Sequence, residues 1–380
     1  MRLHTLTLHP LQIPFKTRFK HSSAERTMTQ SVLVAARTDS GCLGLGEGCP
    51  REYVTAESIA SAERFFATHR DDLINTVHSI TDLRQWIKSH AATIEQNPAA
   101  WCAIELALLD ALAKDQHQSI EYLLDLPELS GPFHYTAVLG DGPLETLISQ
   151  VQQYAALGFS DFKVKITGDP SLDNAKYVAL HAAVKNPRVR LDANNLWITP
   201  DQVLAYLDAI SINPCALEEP LQALDHTGLN TLAAQQPAKL ILDESFLSQA
   251  HFAPIEHRPE SFIINLRISK MGGLLRSLTI ARRAAQKKIP LIIGAQVGET
   301  SILTRAALCI ANICGDALIG QEGAFGTLLL ERDITDQPLT FGKKGLFAID
   351  QLSSSSYGLQ IAYALKNLPV LKGEGCPKNS

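Results

Sequence analysis

Residues 158–170 read GFSDFKVKITGDP, and the part of this stretch from 162 to 166 alternates two lysines with apolar residues. Because side chains alternate faces along a strand, Lys163 and Lys165 are predicted to point the same way. The run breaks at Thr167-Gly168-Asp169-Pro170, which places both ammonium groups at the carboxyl end of the strand. Neighbouring like charges lower each other's pKa, and that is one route to a lysine that accepts a proton near neutral pH. A lysine pair of this kind in isolation is more often exposed on an edge strand, so the rest of the chain decides between the two interpretations.

The chain around this stretch alternates short apolar runs with helical segments from about residue 133 onward. Eight of these runs are predicted as strands, in the segments FHYTAVLG, GFSDFKVKI, RVRLDAN, CALEEP, KLILDES, SFIINLRIS, IPLIIGA and DALIGQE. Strands that alternate with helices predict an α/β fold with a parallel barrel, whose catalytic groups lie at the carboxyl ends of the strands. We assign residues 131–345 to this barrel.

Residues 1–130 have a different pattern of apolar and polar residues and are predicted to form a separate α+β domain. Strand-like alternation up to about residue 60 is followed by helical periodicity up to about residue 125, which indicates a small antiparallel sheet with helices. The polar segment TRFKHSSAERT within it is predicted to be a loop, and is a candidate for a mobile lid over an anionic substrate. The tail, residues 346–380, does not continue the barrel repeat and is predicted to return to the first domain.

Composition excludes several classes of function. The chain has 34 basic and 39 acidic residues and no long basic run, which argues against nucleic acid or an anionic membrane as the main partner. Seven scattered cysteines without a CxxC motif are expected to be reduced thiols. No stretch resembles a signal peptide or reaches membrane-spanning length, so a cytoplasmic enzyme is expected.

Acidic residues end the next three predicted strands after the lysine pair. Asp192 ends RVRLDAN, Glu218 lies in CALEEP, and Asp243 ends KLILDES. In a parallel barrel, neighbouring strands deliver their carboxyl ends to the same mouth, so these three side chains are expected to converge. Carboxylate oxygens suit Mg2+, with room for water and substrate oxygens. The sequence therefore predicts a magnesium site, which Mn2+ is expected to be able to occupy.

At this point the chain resembles the enolase superfamily, and within it the muconate-lactonizing-enzyme subgroup. The motifs that match are KVK, Asp-x-Asn, Glu-x-Pro and Asp-Glu-Ser, each on its own strand, and the resemblance extends from GLGEGCP to the last barrel strand. It implies a modified (β/α)7β barrel with an α+β capping domain that the C-terminal tail completes. It also implies a small-molecule carboxylate as substrate and a homo-oligomeric assembly.

The resemblance assigns roles to individual residues. Asp192, Glu218 and Asp243 would bind Mg2+, Lys165 would be the acid/base, and Lys163 would tune it and touch the substrate carboxylate. Asn194 and Glu244 would support the site from behind the ligands, as would Lys270. A divalent cation on a carboxylate stabilises the enediolate that forms when the neighbouring proton is removed, which an unaided lysine cannot achieve.

The sixth predicted strand departs from the subgroup's pattern. In the subgroup a second catalytic lysine ends this strand, whereas this chain has Arg267 there, in the run NLRISKMGG. Lys270 lies an odd number of residues away and is predicted to face away from Arg267. Arginine stays charged and transfers protons poorly, so two-base racemisation is in doubt. One-base chemistry, in which Arg267 gives electrostatic support, fits better. The other interpretation is that the protein has lost its activity.

The candidate residues of the substrate pocket come from the cap and from the last strands of the barrel. The dipeptide epimerases of the subgroup carry Asp-x-Asp on the eighth strand to hold the substrate's ammonium group, whereas this chain has Gly-Gln-Glu, with Glu322 as its acid. Basic residues of the first loop and residues near CPREYVT are further candidates. The residues predicted to line the pocket are Arg18, Arg51, Tyr53, Glu299 and Glu322.

Together these patterns predict a Mg2+-dependent enzyme that removes or delivers a proton alpha to a carboxylate. The first choice of reaction is a cycloisomerisation of the muconate-lactonizing type. The alternatives are epimerisation of a dipeptide or an N-acyl amino acid, dehydration as in o-succinylbenzoate synthases, and a catalytically retired barrel that binds a carboxylate.

Overall fold

The computed structural model describes residues 1–21, 24–140, 142–352 and 356–359. The side chains of residues 17–21, 24, 25 and 351 are outside this description, as is most of the predicted C-terminal segment.

A three-stranded antiparallel sheet forms the centre of the first domain, in the order β1 (Leu3–Leu11), β4 (Ser31–Thr38) and β5 (Leu43–Gly48). A separate antiparallel hairpin joins β2 (Pro14–His21) and β3 (Ala24–Met28). The segment TRFKHSSAERT, which was predicted to be a loop, therefore belongs largely to this hairpin. Its sequence lacks the alternation of apolar and polar residues that marks a strand, so the prediction of a loop was wrong.

Helices cover one face of this sheet, and one of them is almost wholly buried. The helices are α1 (Glu52–Thr55), α2 (Ile59–Thr76), α3 (Ile80–Ser89), α4 (Ala91–Glu95), α5 (Pro98–Asp115) and α6 (Ile120–Leu123). Helix α5 begins with Pro98 at its first position, as the sequence predicts, and packs directly on β5. The approach is so close that a Cβ on Gly46 would lie 2.1 Å from the carbonyl oxygen of Ala103. Only glycine fits this face of β5, and Leu45 and Glu47 alternate with it toward the opposite face.

The second domain is an eight-stranded sheet in which every neighbouring pair of strands runs parallel. After the short β6 (Phe133–His134), its strands follow each other in chain order: β7 (Ala137–Leu139), β8 (Asp161–Lys165), β9 (Arg188–Asp192), β10 (Ala216–Glu218), β11 (Lys239–Leu242), β12 (Phe262–Leu266), β13 (Leu291–Ile293) and β14 (Leu318–Gln321). The backbone N–H of Thr136 donates to the carbonyl of Gln321, which joins the first strand's side to the last. The predicted α/β barrel with an N-terminal capping domain is confirmed.

Helices connect these strands in all but one place. They are α7 (Leu144–Leu157), α8 (Pro170–Ala183), α9 (Pro200–Ala209), α10 (His226–Gln235), α11 (Leu274–Lys287) and α12 (Ser301–Cys314). Between β11 and β12 the described chain forms two 3-10 turns instead, Gln249–Phe252 and Pro259–Ser261. Helix α10 was not predicted, because DHTGLNTLAAQQ has a weak apolar period and a glycine in its first turn.

The chain then crosses back over both domains. Strand β15 (Leu346–Phe347) pairs with β6, and the hydroxyl of Ser356 donates to Asp110 in α5. The division at residues 130 and 345 stays a prediction. None of the helices in the described ranges combines the length and apolarity needed to cross a bilayer. The six cysteines that fall within these ranges are free thiols.

Candidate active site

Strand pairing brings the predicted acids to one edge of the barrel. Glu218 is the Cα partner of Asp192 across β9 and β10, and Asp192 is in turn the partner of Lys165 across β8 and β9. Asp243 follows the last residue of β11. Because all these strands are parallel, their carboxyl ends open on the same side, which we call the mouth.

An apolar layer lies inside the barrel below the mouth. It consists of one side chain from each of four adjacent strands: Ala216, Ile241, Ile263 and Ile292. Side chains two residues apart share a face of a strand, so Glu218 and Asp243 extend from the same face as Ala216 and Ile241. The layer excludes water from beneath the charged groups, which strengthens their interactions with one another.

Lys163 is the most highly paired cation of the mouth. Its Nζ lies 2.8 Å from Glu218 Oε2, 3.2 Å from Asp192 Oδ2 and 3.3 Å from Glu322 Oε2, and the residue is 3% exposed. Although burial opposes its charge, these three carboxylates raise the pKa of Lys163 above the ordinary value. Lys163 therefore stays protonated and acts as a fixed positive charge.

Lys165 points to the same side, as predicted, but it has a different environment. Its Nζ donates to Asn194 Oδ1 at 3.1 Å and lies 3.7 Å from Asp192 Oδ2. Burial lowers the pKa of Lys165, Asp192 partly opposes this, and the charge of Lys163 lowers it further. The prediction that the lysines depress each other's pKa therefore applies to Lys165 alone. Lys165 is the side chain of the pair that is suited to accept a proton.

Asn194 is held in place by the turn that follows β9. Its φ is +47°, a left-handed conformation that asparagine tolerates better than most residues, and its backbone N–H donates to Asp192 Oδ1 at 3.1 Å. The lysine ammonium groups, despite the opposing effect of burial, lower the pKa of Asp192 to about 2. The turn thus orients both an ionised carboxylate and the amide oxygen that receives Lys165.

Asp243 is held by two cations. Arg267 Nη2 donates to Asp243 Oδ2, and Lys270 Nζ donates to Asp243 Oδ1 at 2.7 Å. The prediction that Lys270 faces away from Arg267 was therefore wrong. Strand β12 ends at Leu266, and residues 267–270 form a turn, so the alternation of side chains along a strand does not extend to them.

Further polar residues support the carboxylates. Buried Glu219 accepts hydrogen bonds from the backbone N–H groups of Asp243 and Ser245, at 2.6 and 2.7 Å, and so fixes the turn after β11. Asn265 Nδ2 donates to Glu218 Oε1 at 3.0 Å, which the sequence did not identify. Glu244 is half-buried, and burial together with neighbouring acids raises its pKa to about 8.

The mouth offers the kind of donor atoms that a divalent cation needs, but these side chains are not gathered around a common point. Within the part of the chain that is described, no three acidic, histidine or cysteine side chains are close enough together to hold a metal ion. The reason is visible at the mouth, where Lys163 lies between Asp192 and Glu218, and Arg267 contacts Asp243. Asp192 and Glu218 nevertheless present buried carboxylates at the mouth, and Asp192 is ionised. Three buried carboxylates are the donor chemistry that Mg2+ prefers.

The residues predicted to line the substrate pocket are spread over both domains. Arg51 is buried, and its guanidinium donates to the backbone carbonyls of Gln30, Pro50 and Val297, which ties the cap to the loop after β13. Tyr53 is exposed at the cap surface, with the guanidinium of Arg26 5.4 Å from its ring centre. The side chain of Arg18 lies outside the described residues.

The two predicted acids of the pocket have different partners. Glu322 lies within ion-pair distance of Lys163 and, at 3.7 Å, of Arg190, a buried residue that the sequence did not single out. Glu299 accepts a hydrogen bond from the backbone N–H of Gln296 at 2.9 Å, and burial raises its pKa to about 8. Gln296 also accepts a bond from Arg267 Nη1, so Glu299 belongs to the surroundings of Arg267.

Two cavities lie away from this mouth. One, of about 490 Å³, is at the opposite end of the barrel beside Asp161 and Arg188, where strands β8 and β9 begin. The other, of about 520 Å³, is on the flank beside His226 and His257. Neither gathers the lysine pair and the strand-end acids, so the mouth is the candidate site.

Two family models match this chain. The model described as Mandelate racemase / muconate lactonizing enzyme, N-terminal domain, matches residues 3–125. The model described as Enolase C-terminal domain-like matches residues 146–350, more than half of the chain. The two matches correspond to the cap and to most of the barrel.

Curated relatives and solved structures are similar over most of their length. A hydrophobic dipeptide epimerase of Citrifermentans bemidjiense is 26% identical over 324 residues, 81% of this chain and 85% of the relative. The N-succinyl-L-Arg/Lys racemase of Bacillus cereus is 24% identical over 328 residues, 82% of this chain and 84% of the relative. The crystal structure of a dipeptide epimerase from Enterococcus faecalis V583, complexed with Mg and L-Leu-L-Tyr, has a TM-score of 0.80 at 22% identity, over 95% of this chain and 100% of that chain. At that identity, the structural likeness shows the fold.

Proposed function

This chain belongs to the mandelate racemase / muconate lactonizing enzyme family of the enolase superfamily, and we propose that it transfers the proton alpha to a carboxylate as an epimerase or racemase. The substrate class we propose is an N-acyl amino acid or a dipeptide. Epimerisation replaces muconate-type cycloisomerisation as the first choice, because the relatives named above are epimerases and racemases.

The position of Lys165 is the observation that carries this proposal. Its ammonium group is at the mouth, 3.7 Å from Asp192 Oδ2 on the adjacent strand, and its only hydrogen bond within the described residues goes to the neutral amide of Asn194. Burial and the charge of Lys163 favour the neutral amine of Lys165, which is the form that removes a proton. Lys163, which stays charged, would hold the substrate carboxylate beside it.

The proposed cofactor is Mg2+, with Mn2+ as a substitute. Asp192, Glu218 and Asp243 would hold it, and a bound divalent cation would acidify the substrate's α-proton by withdrawing charge from the carboxylate. Asn194 would keep Lys165 directed at that proton, and Glu219 would keep the turn of Asp243 in position.

The ion pairs of Glu322 favour an N-acyl amino acid over a dipeptide. A dipeptide carries a free ammonium group that needs a carboxylate partner, whereas an N-acyl group is neutral. Glu322 is the acid of the last strand, and Lys163 and Arg190 already contact it. Binding an ammonium group there would require one of these pairs to break, and a buried cation would lose one of its partners.

Arg267 supports a second candidate function, proton transfer on a single face. Inversion requires a proton donor on the face opposite Lys165, and a guanidinium is a poor proton-transfer group. A syn elimination or a cycloisomerisation needs only one base, and Arg267 would stabilise the developing anion electrostatically. Inversion would instead need water or another acid on the face of Arg267.

The test is hydrogen exchange in D2O with Mg2+, followed by NMR, on N-acyl amino acids, dipeptides, muconate-like diacids and succinylbenzoate precursors. We expect deuterium to enter the alpha position of an N-acyl amino acid. Inverted configuration in the product supports the epimerase, whereas exchange with retention supports one-face chemistry.

Lack of exchange in every class, by protein that binds Mn2+, contradicts both candidates and favours the retired barrel. A Lys165→Ala variant is the negative control for adventitious exchange. The predicted homo-oligomer is a separate proposal, which light scattering on the purified chain tests.

A further inference from the structure

We propose that Arg267 is an internal competitor of the divalent cation, so that metal binds tightly to this chain only together with an anionic ligand that draws the guanidinium away from Asp243. The inference rests on the proposed metal site but concerns how that site is filled. It follows from the charge balance of the mouth and from the contacts of Arg267.

The mouth already holds at least as many basic as acidic side chains. Its carboxylates are each within ion-pair distance of at least one basic side chain: Asp192, Glu218, Asp243 and Glu322 face Lys163, Lys165, Arg190, Arg267 and Lys270. Adding a divalent cation to this set creates excess positive charge in a buried site. Like charges a few ångström apart repel strongly where water is excluded, so the excess is costly.

Arg267 is the cation most able to move. Lys270 is fully buried and donates to Asp243 Oδ1 and to two backbone carbonyls, so it cannot leave without leaving those groups unsatisfied. The side chain of Arg267 keeps 13% exposure. Among the described residues, its Nε has no hydrogen-bond partner and its Nη1 bonds only to the side chain of Gln296. Asp243 therefore keeps one fixed cation and has one that can be displaced.

An anion provides the guanidinium with another partner. A carboxylate accepts two parallel hydrogen bonds from a guanidinium, which matches the geometry that Arg267 gives up at Asp243. A dianionic ligand also balances the charge that the metal adds. Metal and anion should consequently bind with positive cooperativity, because each removes an obstacle to the other.

The test is titration of Mn2+ binding by electron paramagnetic resonance on the full chain, with and without succinate as the dianionic probe. In wild-type protein, we expect succinate to tighten Mn2+ binding at least about fivefold. Arg267→Gln should bind Mn2+ alone at least about tenfold more tightly than wild type, because the competing charge is gone. In that variant, succinate should tighten Mn2+ binding by a smaller factor than in wild type, because the guanidinium no longer has to be displaced.

Two further variants serve as controls. Arg283→Gln removes an equal charge from a surface ion pair with Glu256, and its Mn2+ affinity should match wild type. Arg267→Lys keeps the charge and should remain weak in the absence of succinate. Circular dichroism and thermal unfolding exclude variants that have lost their fold.

Unchanged or weaker Mn2+ binding by folded Arg267→Gln overturns the inference, and so does wild-type binding that ignores succinate. The wild-type measurement needs no variant and therefore remains decisive even if Arg267→Gln does not fold. Failure of the proposed function appears separately, as lack of proton exchange in D2O while the Mn2+ results hold. Exchange with Mg2+ together with an unchanged Arg267→Gln affinity would reject this inference alone.

Discussion

At the mouth, buried carboxylates face side-chain cations, whereas at the junction between the cap and the barrel they face helix backbones. Glu47 on β5 accepts bonds from the N–H of Thr300, at 3.0 and 3.1 Å, and from its hydroxyl at 2.7 Å, at the start of α12. Glu105 on α5 accepts the N–H of Leu275, at 2.9 Å, at the start of α11. Both glutamates belong to the cap, and both of these partners belong to the barrel.

The two regions use the same functional group for different purposes. A backbone N–H at a helix start cannot leave without unwinding the helix, so the junction is a fixed attachment. Gly273 shows how closely it is fitted, since its φ is +97° and a Cβ there would lie 2.4 Å from Glu105 Oε1. A guanidinium or ammonium group at the mouth can rotate away and find another anion. The junction therefore confers stability, and the mouth can exchange partners during binding.

Removing the base, Lys165, should have the largest effect, and this effect should be limited to catalysis at the mouth. We expect Lys165→Ala to lower α-proton exchange by at least about 10³-fold, because general-base catalysis typically contributes 10²–10⁴. Mn2+ affinity with succinate should stay within about threefold of wild type, since Lys165 is 3.7 Å from only one carboxylate of the site. Exchange by NMR and Mn2+ titration measure the two quantities, and Lys185→Ala, on the surface, is the control. Retained exchange would show that another group is the base.

Removing a junction carboxylate should instead reduce stability. Glu47→Ala leaves the buried N–H and hydroxyl of Thr300 without an acceptor, and we expect a loss of about 3 kcal/mol in the free energy of unfolding. Urea denaturation measures this, with Glu331→Ala, an exposed acid, as the control expected within about 0.5 kcal/mol of wild type. The Mn2+ affinity of the folded variant should not change. A stability equal to wild type would mean that the junction bonds contribute nothing net.

The pH dependence of exchange tests whether Lys165 is the titrating base and Lys163 the charge that lowers its pKa. Lys165 must be neutral to accept a proton, so the exchange rate should rise with pH and reach half its maximum below 10.5, the ordinary value, because the pKa of Lys165 is lowered. Lys163→Gln removes an ammonium group that lowers this pKa and leaves Asp192 free to raise it. The midpoint should therefore move to higher pH.

A pH–rate profile of exchange measures this shift, and the exposed Lys185→Gln is its control. A midpoint that stays in place or falls in Lys163→Gln would mean that Lys163 does not set the pKa of the base. It would also weaken the assignment of Lys165 as the titrating group.

The strands and the strand-end acids were accessible from the sequence because their signals are local. Eight apolar runs mark the barrel strands, and Asp192, Glu218 and Asp243 follow directly from their ends. The polar hairpin of β2 and β3 was missed because it has no apolar alternation. Helix α10 was missed because the apolar residues in its sequence follow the helical period only weakly. Packing against the rest of the barrel stabilises this helix nonetheless.

The partners of the charged groups were not accessible in the same way. The sequence gives no sign that Glu47 meets Thr300, which is 253 residues away, or that Arg190 lies beside Glu322. Lys270 was predicted to face away from Arg267 because side chains alternate along a strand. Strand β12 ends at Leu266, however, and the turn that follows does not obey this alternation. The fold follows from local patterns, whereas the site's electrostatics depend on which distant side chains the fold brings together.

Removing one bond of the junction should produce the smallest effect, and this tests whether the backbone bonds dominate there. Thr300→Val keeps the branched shape and the N–H that bonds Glu47. It removes the hydroxyl, which donates to Glu47 and accepts from the N–H of Ile302 as the cap of α12, so we expect a loss of about 1 kcal/mol in unfolding free energy. The control is Thr279→Val on α11, whose exposed hydroxyl donates only to its own helix and whose loss should cost less than about 0.5 kcal/mol. Urea denaturation of both variants beside Glu47→Ala measures the ratio. If Thr300→Val costs as much as Glu47→Ala, the hydroxyl rather than the helix backbone holds the glutamate, and the junction would then resemble the mouth in depending on side chains.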